Sequence, residues 1–316
     1  MKILANDGVS QAGVEMLEKA GHEVIQTKVA QEQLSRYLND NNIDVILVRS
    51  ATKIRKDLID ACPDLKIIGR GGVGLDNIDV DYAKSKGLKV INTPAASSDS
   101  VAELVMAHTL SGFRFLHLAN RQMPLEGDSK FKDLKKSYAK GTELKGKTMG
   151  IVGIGRIGQA TAKRAIGMGM NVVVHDKFTE EVDVKLDFFD GQHLSFQLKS
   201  IAFDELLAQS DVITFHVPSQ KDYILGANEI KKMKDGAAVI NTARGGVIEE
   251  KAVVEALESG KLQFAAIDVF ENEPTPEIKL LMQPKLSLSP HTGGATTQAQ
   301  DRIGTELAAQ IIELSQ

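Results

Sequence analysis

Three polar side chains that can carry proton-transfer chemistry follow three separate apolar segments in the second half of the chain. Arg244 lies in AAVINTARGGVI, Glu273 in AAIDVFENEP and His291 in KLSLSPHTGG. Each segment has the apolar, β-branched character of a buried strand. Because open α/β sheets bind ligands beyond the carboxyl ends of their strands, we expect the three side chains to converge on one site.

The three residue types match the needs of a reversible oxidation of a 2-hydroxy acid to a 2-keto acid. An arginine can hold a carboxylate and polarise a carbonyl, and a histidine can exchange a proton with the alcohol oxygen. A carboxylate beside the histidine stabilises its protonated form. We therefore predict that Arg244 binds the substrate and that His291 and Glu273 form an acid–base pair. Taken singly, Arg244 would be part of a surface ion pair, His291 a loop histidine and Glu273 a solvated turn residue. Their shared placement after strands favours the catalytic interpretation.

A dinucleotide-binding signal precedes these residues. Gly153, Gly155 and Gly158 form the spacing GxGxxG in MGIVGIGRIGQATAKRA, directly after a β-branched run and at the start of a helical pattern. The first glycine permits a tight turn, the second lets the backbone approach a pyrophosphate, and the third lets helix and strand pack closely. Asp176 ends the next strand-like run, 18 residues after Gly158, where a carboxylate would accept hydrogen bonds from the adenosine ribose. The combination predicts NAD in preference to NADP, although Lys177 beside the carboxylate would soften that preference.

The elements that must position these residues form two series. Short β-branched runs alternate with amphipathic stretches from KILAND to LKVINTP, and a second such series runs from KTMGIVGIGRIG to KLSLSPH. Repeated βα units imply parallel sheets with crossover helices, so we expect an α/β fold with two doubly wound lobes. An apolar helix from Ser98 to Phe115 is predicted to bridge the lobes, and a terminal helix to run from Thr297 to Gln316. The segment KLDFFDGQHLSFQLKS is poorly periodic and is interpreted as a surface excursion.

The overall composition excludes several classes of function. The formal net charge is -4 and the isoelectric point about 6.0, so there is no basic field for nucleic acid or an anionic membrane. No apolar run approaches the roughly 20 residues that a membrane-spanning helix needs. The single cysteine is Cys62, and the opening MKILAND does not resemble a secretory signal. We therefore expect a reducing, cytoplasmic setting, with no membrane partner, no nucleic-acid partner and no metal site.

Segments along nearly the whole chain resemble, in the same order, those of the NAD-dependent D-2-hydroxyacid dehydrogenases. The similar segments are VRSATKI, IIGRGGVGLDNID, VINTP, VAELVM, GTELKGKTMGIVGIGRIG, NTARGGVI, AAIDVFENEP and SPHTGGAT. The resemblance implies a Rossmann dinucleotide-binding domain inserted in a flavodoxin-like substrate-binding domain. In this sequence the substrate-binding domain is expected at 1–96 plus 293–316, and the NAD-binding domain at 97–292.

The resemblance also implies roles for individual residues. Arg244, Glu273 and His291 match the family's catalytic residues, in agreement with the roles derived above. Asp268 matches the aspartate that holds the nicotinamide carboxamide, and the loop 71–73 matches the backbone that receives the substrate carboxylate. The expected cofactor-binding residues are Gly153, Gly155, Arg156, Ile157, Gly158, Asp176, Val217, Pro218, Thr242, Ala243, Arg244, Asp268, His291 and Gly294. The expected substrate-binding residues are Arg49, Ser50, Gly71, Gly72, Val73, Arg244 and His291.

Further expectations follow from how this chain compares with the family. The long helix from Ser98 commonly mediates dimerisation there, so a homodimer is expected. Longer relatives carry a regulatory domain after the catalytic core, and because this sequence ends at Gln316, feedback control by serine through such a domain is not expected. Val73 stands where some relatives have threonine, so a hydroxyl contact to the cofactor is not expected at that position.

The substrate expectation depends on cations in the first lobe. A phosphorylated hydroxy acid needs them because phosphate carries close to two negative charges. Arg49, in VRSATK after a strand-like run, is the leading candidate, and Ser50 can add a hydrogen bond. Further candidates are Lys53, Arg70, Lys132, Lys135, Lys136 and Lys140. We therefore expect 3-phosphoglycerate as the substrate.

Two alternatives stay open on the sequence. A glyoxylate or hydroxypyruvate reductase would share the fold and the catalytic residues, and the cations of the first lobe are the feature that argues against it. A binding protein that senses NAD(H) can also retain the catalytic residues, although the chain lacks the extensions expected of a partner-binding hub.

Overall fold

The chain divides into two compact units in the computed structural model, which describes residues 1–315. Among the described residues, unit 1 comprises 1–100 and 294–315, and unit 2 comprises 101–293. Gln316, the last residue of the predicted terminal helix, lies outside the described residues. The binding roles expected of the two domains stay predictions.

The regular elements alternate along both units. The strands are β1 (Lys2–Ala5), β2 (Glu23–Ile25), β3 (Val45–Val48), β4 (Ile67–Arg70), β5 (Lys89–Asn92), β6 (Thr148–Val152), β7 (Asn171–His175), β8 (Glu181–Asp187), β9 (His193–Lys199), β10 (Val212–Phe215), β11 (Ala237–Asn241), β12 (Leu262–Ile267) and β13 (Leu286–Leu288). The helices are α1 (Gln11–Lys19), α2 (Leu34–Asp40), α3 (Lys56–Ala61), α4 (Val80–Ser85), α5 (Ser98–Phe113), α6 (Leu116–Glu126), α7 (Phe131–Ser137), α8 (Arg156–Gly167), α9 (Phe203–Gln209), α10 (Ala227–Lys232), α11 (Glu250–Ser259), α12 (Ile278–Leu281) and α13 (Thr297–Leu314). Within residues 1–315, no helix combines the length and the apolar character that crossing a membrane requires.

Unit 1 is built on a parallel sheet with the strand order β2-β1-β3-β4-β5. All four residues of β3 are buried, because a parallel sheet is covered by helices on both faces. This is the flavodoxin-like order of a doubly wound sheet. The fold predicted for the first lobe is confirmed.

The end of the chain returns to unit 1 as α13, which packs on α1. The two helices approach closely at a pair of glycines. A Cβ at Gly13 would lie 2.7 Å from the carbonyl carbon of Gly304, and a Cβ at Gly304 would overlap the side chain of Ser10. Leu307 and Ile311 of α13 are buried in the same core. The missing side chains at the two glycines therefore let α13 bury its apolar face.

Unit 2 is built on a parallel sheet with the strand order β13-β12-β11-β10-β6-β7. From β6 the chain passes to β7 on one side, and it later returns to β10 on the other side. The carboxyl ends of β6 and β10 therefore border a switch point, which is where open α/β sheets bind ligands. The second doubly wound lobe is confirmed.

The predicted surface excursion overlaps an antiparallel hairpin that begins four residues before it, and the sequence reasoning missed this hairpin. β8 pairs with β9 from Glu181 opposite Lys199 to Asp187 opposite His193. The alternation in EVDVKLD was the available signal, since Val184 is 1% exposed while the residues on either side of it are exposed. β9 does not show this alternation of buried and exposed residues, because nearly all of its side chains are exposed.

A pair of glutamates ties the start of α11 to the loop after β12. The N–H of Glu250 donates to Oε1 of Glu271 at 3.0 Å, and the N–H of Glu271 donates to Oε1 of Glu250 at 2.8 Å. Glu250 is 6% exposed. Burial raises the pKa of its carboxyl above the usual value; the hydrogen bond from Glu271 opposes the shift, and the nearby negative charges of Glu271, Glu277 and Glu273 add to it. The pair fixes the loop in which Glu273 lies.

Replacing Gly304 with valine should unseat α13, because the new side chain would overlap Ser10. Overpacking of this kind costs about 1–3 kcal/mol of the free energy of unfolding. We expect a lower melting temperature by calorimetry and faster backbone hydrogen exchange along α13. The control is Ala309→Val, at an exposed position of the same helix, which should change neither quantity. A Gly304→Val protein that melts and exchanges like the control would contradict the packing described here.

Replacing Glu250 with glutamine should stabilise the protein at alkaline pH. Since folding raises the pKa of Glu250, its contribution to stability is fully present below the unfolded-state pKa of about 4.3 and is lost as the pH rises through the folded-state value. Glutamine avoids this loss and keeps an oxygen that accepts the N–H of Glu271. We expect a melting temperature ~2 °C above that of the wild type at pH 8, with the difference closing toward pH 4.

Thermal unfolding followed by circular dichroism between pH 4 and pH 8 measures this difference. Glu255→Gln, at an exposed position of α11, controls for the loss of one negative charge. A Glu250→Gln protein that melts below the wild type at pH 8 would show instead that the ionised carboxylate stabilises the fold.

Candidate active site

Arg244, Glu273 and His291 follow three neighbouring strands of unit 2. Arg244 is the third residue after β11, and His291 is the third residue after β13. Asp268 and Glu273 lie in the loop after β12. Since β11, β12 and β13 are adjacent and parallel, their carboxyl ends share one edge of the sheet. The structure thus places the predicted side chains along that edge.

His291 and Glu273 form a hydrogen-bonded pair. Nδ1 of His291 lies 2.9 Å from Oε2 of Glu273, and Oε1 of Glu273 accepts the N–H of Phe270 at 2.9 Å. Because a carboxylate only accepts, Nδ1 carries the proton of the His291 bond. Nε2 makes no hydrogen bond to any residue in the range 1–315, and 42% of the His291 side chain is exposed. Nε2 is therefore the ring nitrogen that can exchange a proton with a ligand.

The turn that carries His291 is held by the buried carboxylate of Asp268, which is 1% exposed. Its Oδ1 accepts the Ser289 hydroxyl at 2.6 Å and the N–H of Thr292 at 2.8 Å. Its Oδ2 accepts the N–H of Gly293 at 2.9 Å, and its backbone oxygen accepts the N–H of His291 at 2.7 Å. His291 has a φ of 53°. Side-chain-bearing residues rarely adopt this left-handed conformation, so these bonds are needed to maintain it.

Arg244 is positioned by the end of β11. The buried Asn241 donates from Nδ2 to the backbone oxygen of Arg244 at 2.9 Å and accepts the N–H of Ala243 at 3.1 Å. Nη1 of Arg244 donates to the backbone oxygen of Ala243 at 2.6 Å. A Cβ at Gly245 would overlap the backbone oxygen of Phe270. Glycine therefore lets the Arg244 turn approach the loop that carries Glu273.

The glycine segment of unit 2 fits a dinucleotide. Gly153 has a φ of 92°, and a Cβ there would lie 2.5 Å from the backbone oxygen of His216. A Cβ at Gly158 would overlap the backbone oxygen of Gly153. Gly155 directly precedes α8, no side chain caps that helix end, and a Cβ built on Gly155 has no atom within 4 Å. The N–H groups at the start of α8 are therefore available to an anion such as a pyrophosphate.

Asp176 directly follows β7 and braces the same segment. Its Oδ2 accepts the N–H of Ile154 at 2.9 Å, and its Oδ1 accepts those of Phe178 and Thr179. Partial burial alone would raise the pKa of Asp176, but these backbone hydrogen bonds, together with His175, lower it overall. The residue is thus a carboxylate at the position predicted to contact the adenosine ribose.

Thr242 adds an unpaired polar atom to the edge described above. It is 7% exposed, and its Oγ1 has no hydrogen-bond partner among residues 1–315. A buried hydroxyl without a partner costs free energy that a bound ligand can offset. The remaining predicted cofactor contacts are Arg156, Ile157, Val217, Pro218 and Ala243 in unit 2 and Gly294 in unit 1.

In the loop after β4 of unit 1, two of the three predicted carboxylate-binding amides are already engaged. The N–H of Gly71 donates to the backbone oxygen of Val48, and that of Gly72 donates to Oγ1 of Thr93, both at 2.8 Å. The N–H of Val73 makes no hydrogen bond within residues 1–315, and Val73 is 37% exposed. Of the three predicted amides, that of Val73 is therefore the one that the described structure leaves available, and the carboxylate-binding role of the loop stays a prediction. Val48 and Thr93 supply these partners because a buried amide needs a hydrogen bond.

Arg49 lies beside this loop with a half-buried side chain. A Cβ at Gly71 would lie 3.7 Å from Cγ of Arg49. The backbone N–H of Arg49 donates to Oδ2 of Asp7 at 2.7 Å, whereas its guanidinium makes no hydrogen bond or ion pair with any residue in the described range. Burial lowers the pKa of the guanidinium, and the charge of Asp7 opposes the shift. Ser50, the neighbouring predicted residue, is exposed.

Three other histidines are poorly suited to proton exchange near neutral pH. Burial lowers the pKa of His108 and of His117. Desolvation lowers the pKa of His216 to about 3. No cluster of three or more His, Cys, Asp or Glu side chains in residues 1–315 has an arrangement that could hold a metal ion.

Several residues that support these sites were missed in the sequence. They are Asp7, Thr93, Asn241, Glu250 and Ser289. The signal that could have indicated them is a polar side chain placed next to an apolar run, since a buried polar group needs a partner. Their partners are distant in the sequence in most cases, so the sequence alone did not show which bonds they make.

Comparison with known proteins identifies the family. Residues 106–293 match the family described as D-isomer specific 2-hydroxyacid dehydrogenase, NAD binding domain. The chain is 41% identical over 318 residues to a hydroxypyruvate reductase of Thermotoga maritima, covering 99% of this chain and 97% of that protein. It is 40% identical over 314 residues to a D-3-phosphoglycerate dehydrogenase of Methanocaldococcus jannaschii, covering 98% of this chain but 57% of that protein. The chain thus spans little more than half the length of the second relative.

The fold is shared with solved structures of the same kind. A glyoxylate reductase from Paecilomyes thermophila superposes with a TM-score of 0.82 at 30% identity, covering 100% of this chain and 96% of that one. The family match extends over more than half of the sequence. The chain therefore belongs to the D-isomer specific 2-hydroxyacid dehydrogenases, and it is an oxidoreductase that uses NAD.

Proposed function

We propose that this enzyme oxidises D-3-phosphoglycerate to 3-phosphohydroxypyruvate with NAD, the first step of serine biosynthesis. The observation that carries the proposal is the half-buried guanidinium of Arg49, which makes no hydrogen bond or ion pair with residues 1–315 and has only the charge of Asp7 acting on it. Partial removal of a charge from water without a partner costs free energy, and an anionic ligand offsets that cost. A guanidinium suits phosphate because it offers paired, charge-assisted hydrogen bonds.

Besides Arg49, which we assign to the phosphate, unit 1 has a donor for the carboxylate end of this substrate. We assign the N–H of Val73 to the substrate carboxylate, since it has no hydrogen bond within the described range. Gly71 packs beside the Arg49 side chain, and a Cβ at Gly72 would overlap Nη1 of Arg70. The loop is thus flanked by the side chains of two arginines, which favours a substrate with two negatively charged ends.

In unit 2, His291 is assigned as the base for the oxidation. Its Nε2 takes the hydroxyl proton, and Glu273 at Nδ1 stabilises the imidazolium that forms. Arg244 holds the carboxylate and stabilises charge on the reacting oxygen. NAD, when bound, supplies the acceptor for the hydride that leaves C2 of the substrate. In the reverse reaction, Nε2 of His291 returns the proton to the alkoxide.

The cofactor contacts are assigned to the groups that the structure leaves available. The N–H groups at the start of α8 hold the pyrophosphate, and Asp176 accepts from the adenosine ribose. The Thr242 hydroxyl gains a partner when NAD binds. Asp268 Oδ2 accepts one hydrogen bond from the protein, so it retains capacity for the nicotinamide carboxamide.

Hydroxypyruvate reduction is the second candidate. The hydroxypyruvate reductase of Thermotoga maritima is as similar as the phosphoglycerate dehydrogenases, and this chain covers 97% of its length. The same assignments in unit 2 would serve that reaction. Arg49 would then have no phosphate to bind. For this reason we propose the phosphorylated substrate rather than hydroxypyruvate.

We also propose that the enzyme is a homodimer. Apolar side chains on α5, α6 and α7 are exposed in the single chain. They are Leu110, Leu116, Met123, Leu125 and Phe131, with exposed fractions of 39%, 53%, 42%, 79% and 57%. Exposed apolar side chains grouped on consecutive elements favour burial by a partner.

Initial rates with NAD and D-3-phosphoglycerate or D-glycerate, and with NADH and the corresponding keto acids, test the substrate. We expect kcat/KM to favour the phosphorylated acids by about 100-fold, the effect of a charge-assisted contact of about 3 kcal/mol. Arg49→Gln should raise KM for D-3-phosphoglycerate ~30-fold with little change in kcat. Lys84→Gln, which removes an exposed charge from α4 of unit 1, should leave both constants unchanged.

Three results would argue against the proposal. Preference for hydroxypyruvate over its phosphorylated form would favour the second candidate. An unchanged KM in Arg49→Gln would remove the phosphate site. Tight NADH binding without turnover on any of these acids would favour a sensor.

A further inference from the structure

His108 on α5 is a buried histidine with hydrogen bonds at both ring nitrogens. It is 6% exposed. Nδ1 lies 2.9 Å from Oγ of Ser287, and Nε2 lies 3.1 Å from Oγ of Ser289. None of the binding or catalytic roles assigned above uses this ring. It nevertheless contacts the segment from which His291 extends.

The packing of α5 explains how position 108 reaches β13. Gly112 lies one helical turn later, and a Cβ there would overlap the ring of Phe264 on β12. Phe113 packs edge-to-face on the same ring, with the centroids 5.2 Å apart. The helix therefore lies close against the sheet, and a side chain of the length of histidine spans the remaining gap to the serines.

The neighbouring carboxylate determines the direction of each hydrogen bond. Ser289 donates its hydroxyl hydrogen to Oδ1 of Asp268 at 2.6 Å. Ser289 Oγ can then only accept from Nε2–H of His108, and in a neutral ring Nδ1 accepts from Ser287. Burial lowers the pKa of His108 and the charge of Asp268 opposes the shift, which agrees with a neutral ring. The chain of donors runs from Ser287 through His108 and Ser289 to Asp268.

We propose that His108 is a positioning residue, acting through Ser289 on the Asp268 carboxylate and so on the turn that carries His291. Oδ1 of Asp268 accepts from both Ser289 and the N–H of Thr292. With Nε2–H donating to it, Ser289 has one favourable orientation, in which it donates to Oδ1. Without this donor the Ser289 hydroxyl can rotate away from Oδ1. The hydrogen bonds that Thr292 and Gly293 donate to Asp268 then lose the polarising effect of the Ser289 bond. The consequence for turnover rests on the proposed role of His291, whereas the order of the turn does not.

Three substitutions test this inference in the intact chain. His108→Leu removes both ring nitrogens and places an apolar side chain at the buried position. His108→Gln keeps a donor and an acceptor. Thr109→Val is the matched control, because Thr109 is 0% exposed on the same helix and, among residues 1–315, its hydroxyl bonds only Val105 of that helix.

The first measurement is hydrogen exchange of the Thr292 and Gly293 amides, and the second is the Kd for NADH by fluorescence titration. We expect His108→Leu to raise both exchange rates and the Kd by about tenfold, which corresponds to about 1.4 kcal/mol. His108→Gln should return both to within about threefold of the wild type, and Thr109→Val should match the wild type.

Equal exchange and equal Kd in His108→Leu and Thr109→Val would overturn the inference. So would a His108→Gln protein as impaired as His108→Leu, because the effect would then come from the shape of the ring and not from its hydrogen bonds. Neither measurement needs turnover, so failure of the substrate assignment leaves this test intact.

Discussion

The buried carboxylate of Asp268 organises the edge of unit 2 where the candidate catalytic groups lie. A carboxylate that is 1% exposed must have its oxygens hydrogen-bonded. Here the donors come from the turn that follows the next strand, namely the hydroxyl of Ser289 and the amides of Thr292 and Gly293. The requirement to satisfy one buried charge therefore fixes the backbone at His291, including its left-handed conformation.

The other candidate catalytic groups are held by the same kind of contact. Arg244 is set by the amide of Asn241, and the loop of Glu273 is set by the Glu250–Glu271 pair and by the N–H of Phe270. In each case a polar side chain bonds to the backbone of a loop that follows a strand. Rigid parallel strands thus supply the placement, and buried polar groups fix the loops that follow them.

Much of the fold could be predicted because parallel strands are buried on both faces and read as apolar runs such as VILV in β3. The glycine segment was equally visible, since only glycine tolerates the φ of 92° at Gly153 and the close approach at Gly158. The hairpin of β8 and β9 was missed because β9 is exposed on both faces and shows no buried period.

The hydrogen bonds within the site could not be predicted in the same way. Ser289 and His108 are 181 residues apart in sequence, and no local pattern links them. The use of the Gly72 amide by Thr93 was also hidden, because it depends on how two neighbouring strands of unit 1 end side by side. Residue types indicated which chemistry was available, whereas the packing of the sheet determined which bonds those residues make.

The most direct test of the account is turnover and NADH affinity of His291→Asn, measured on the same preparation. Asparagine tolerates the left-handed conformation of this turn, but it cannot exchange the proton. The account predicts a Kd for NADH within about threefold of the wild type and a kcat at least ~100-fold lower with saturating substrate. A variant that keeps kcat within about threefold of the wild type would contradict the assignment of His291 as the proton-transfer group.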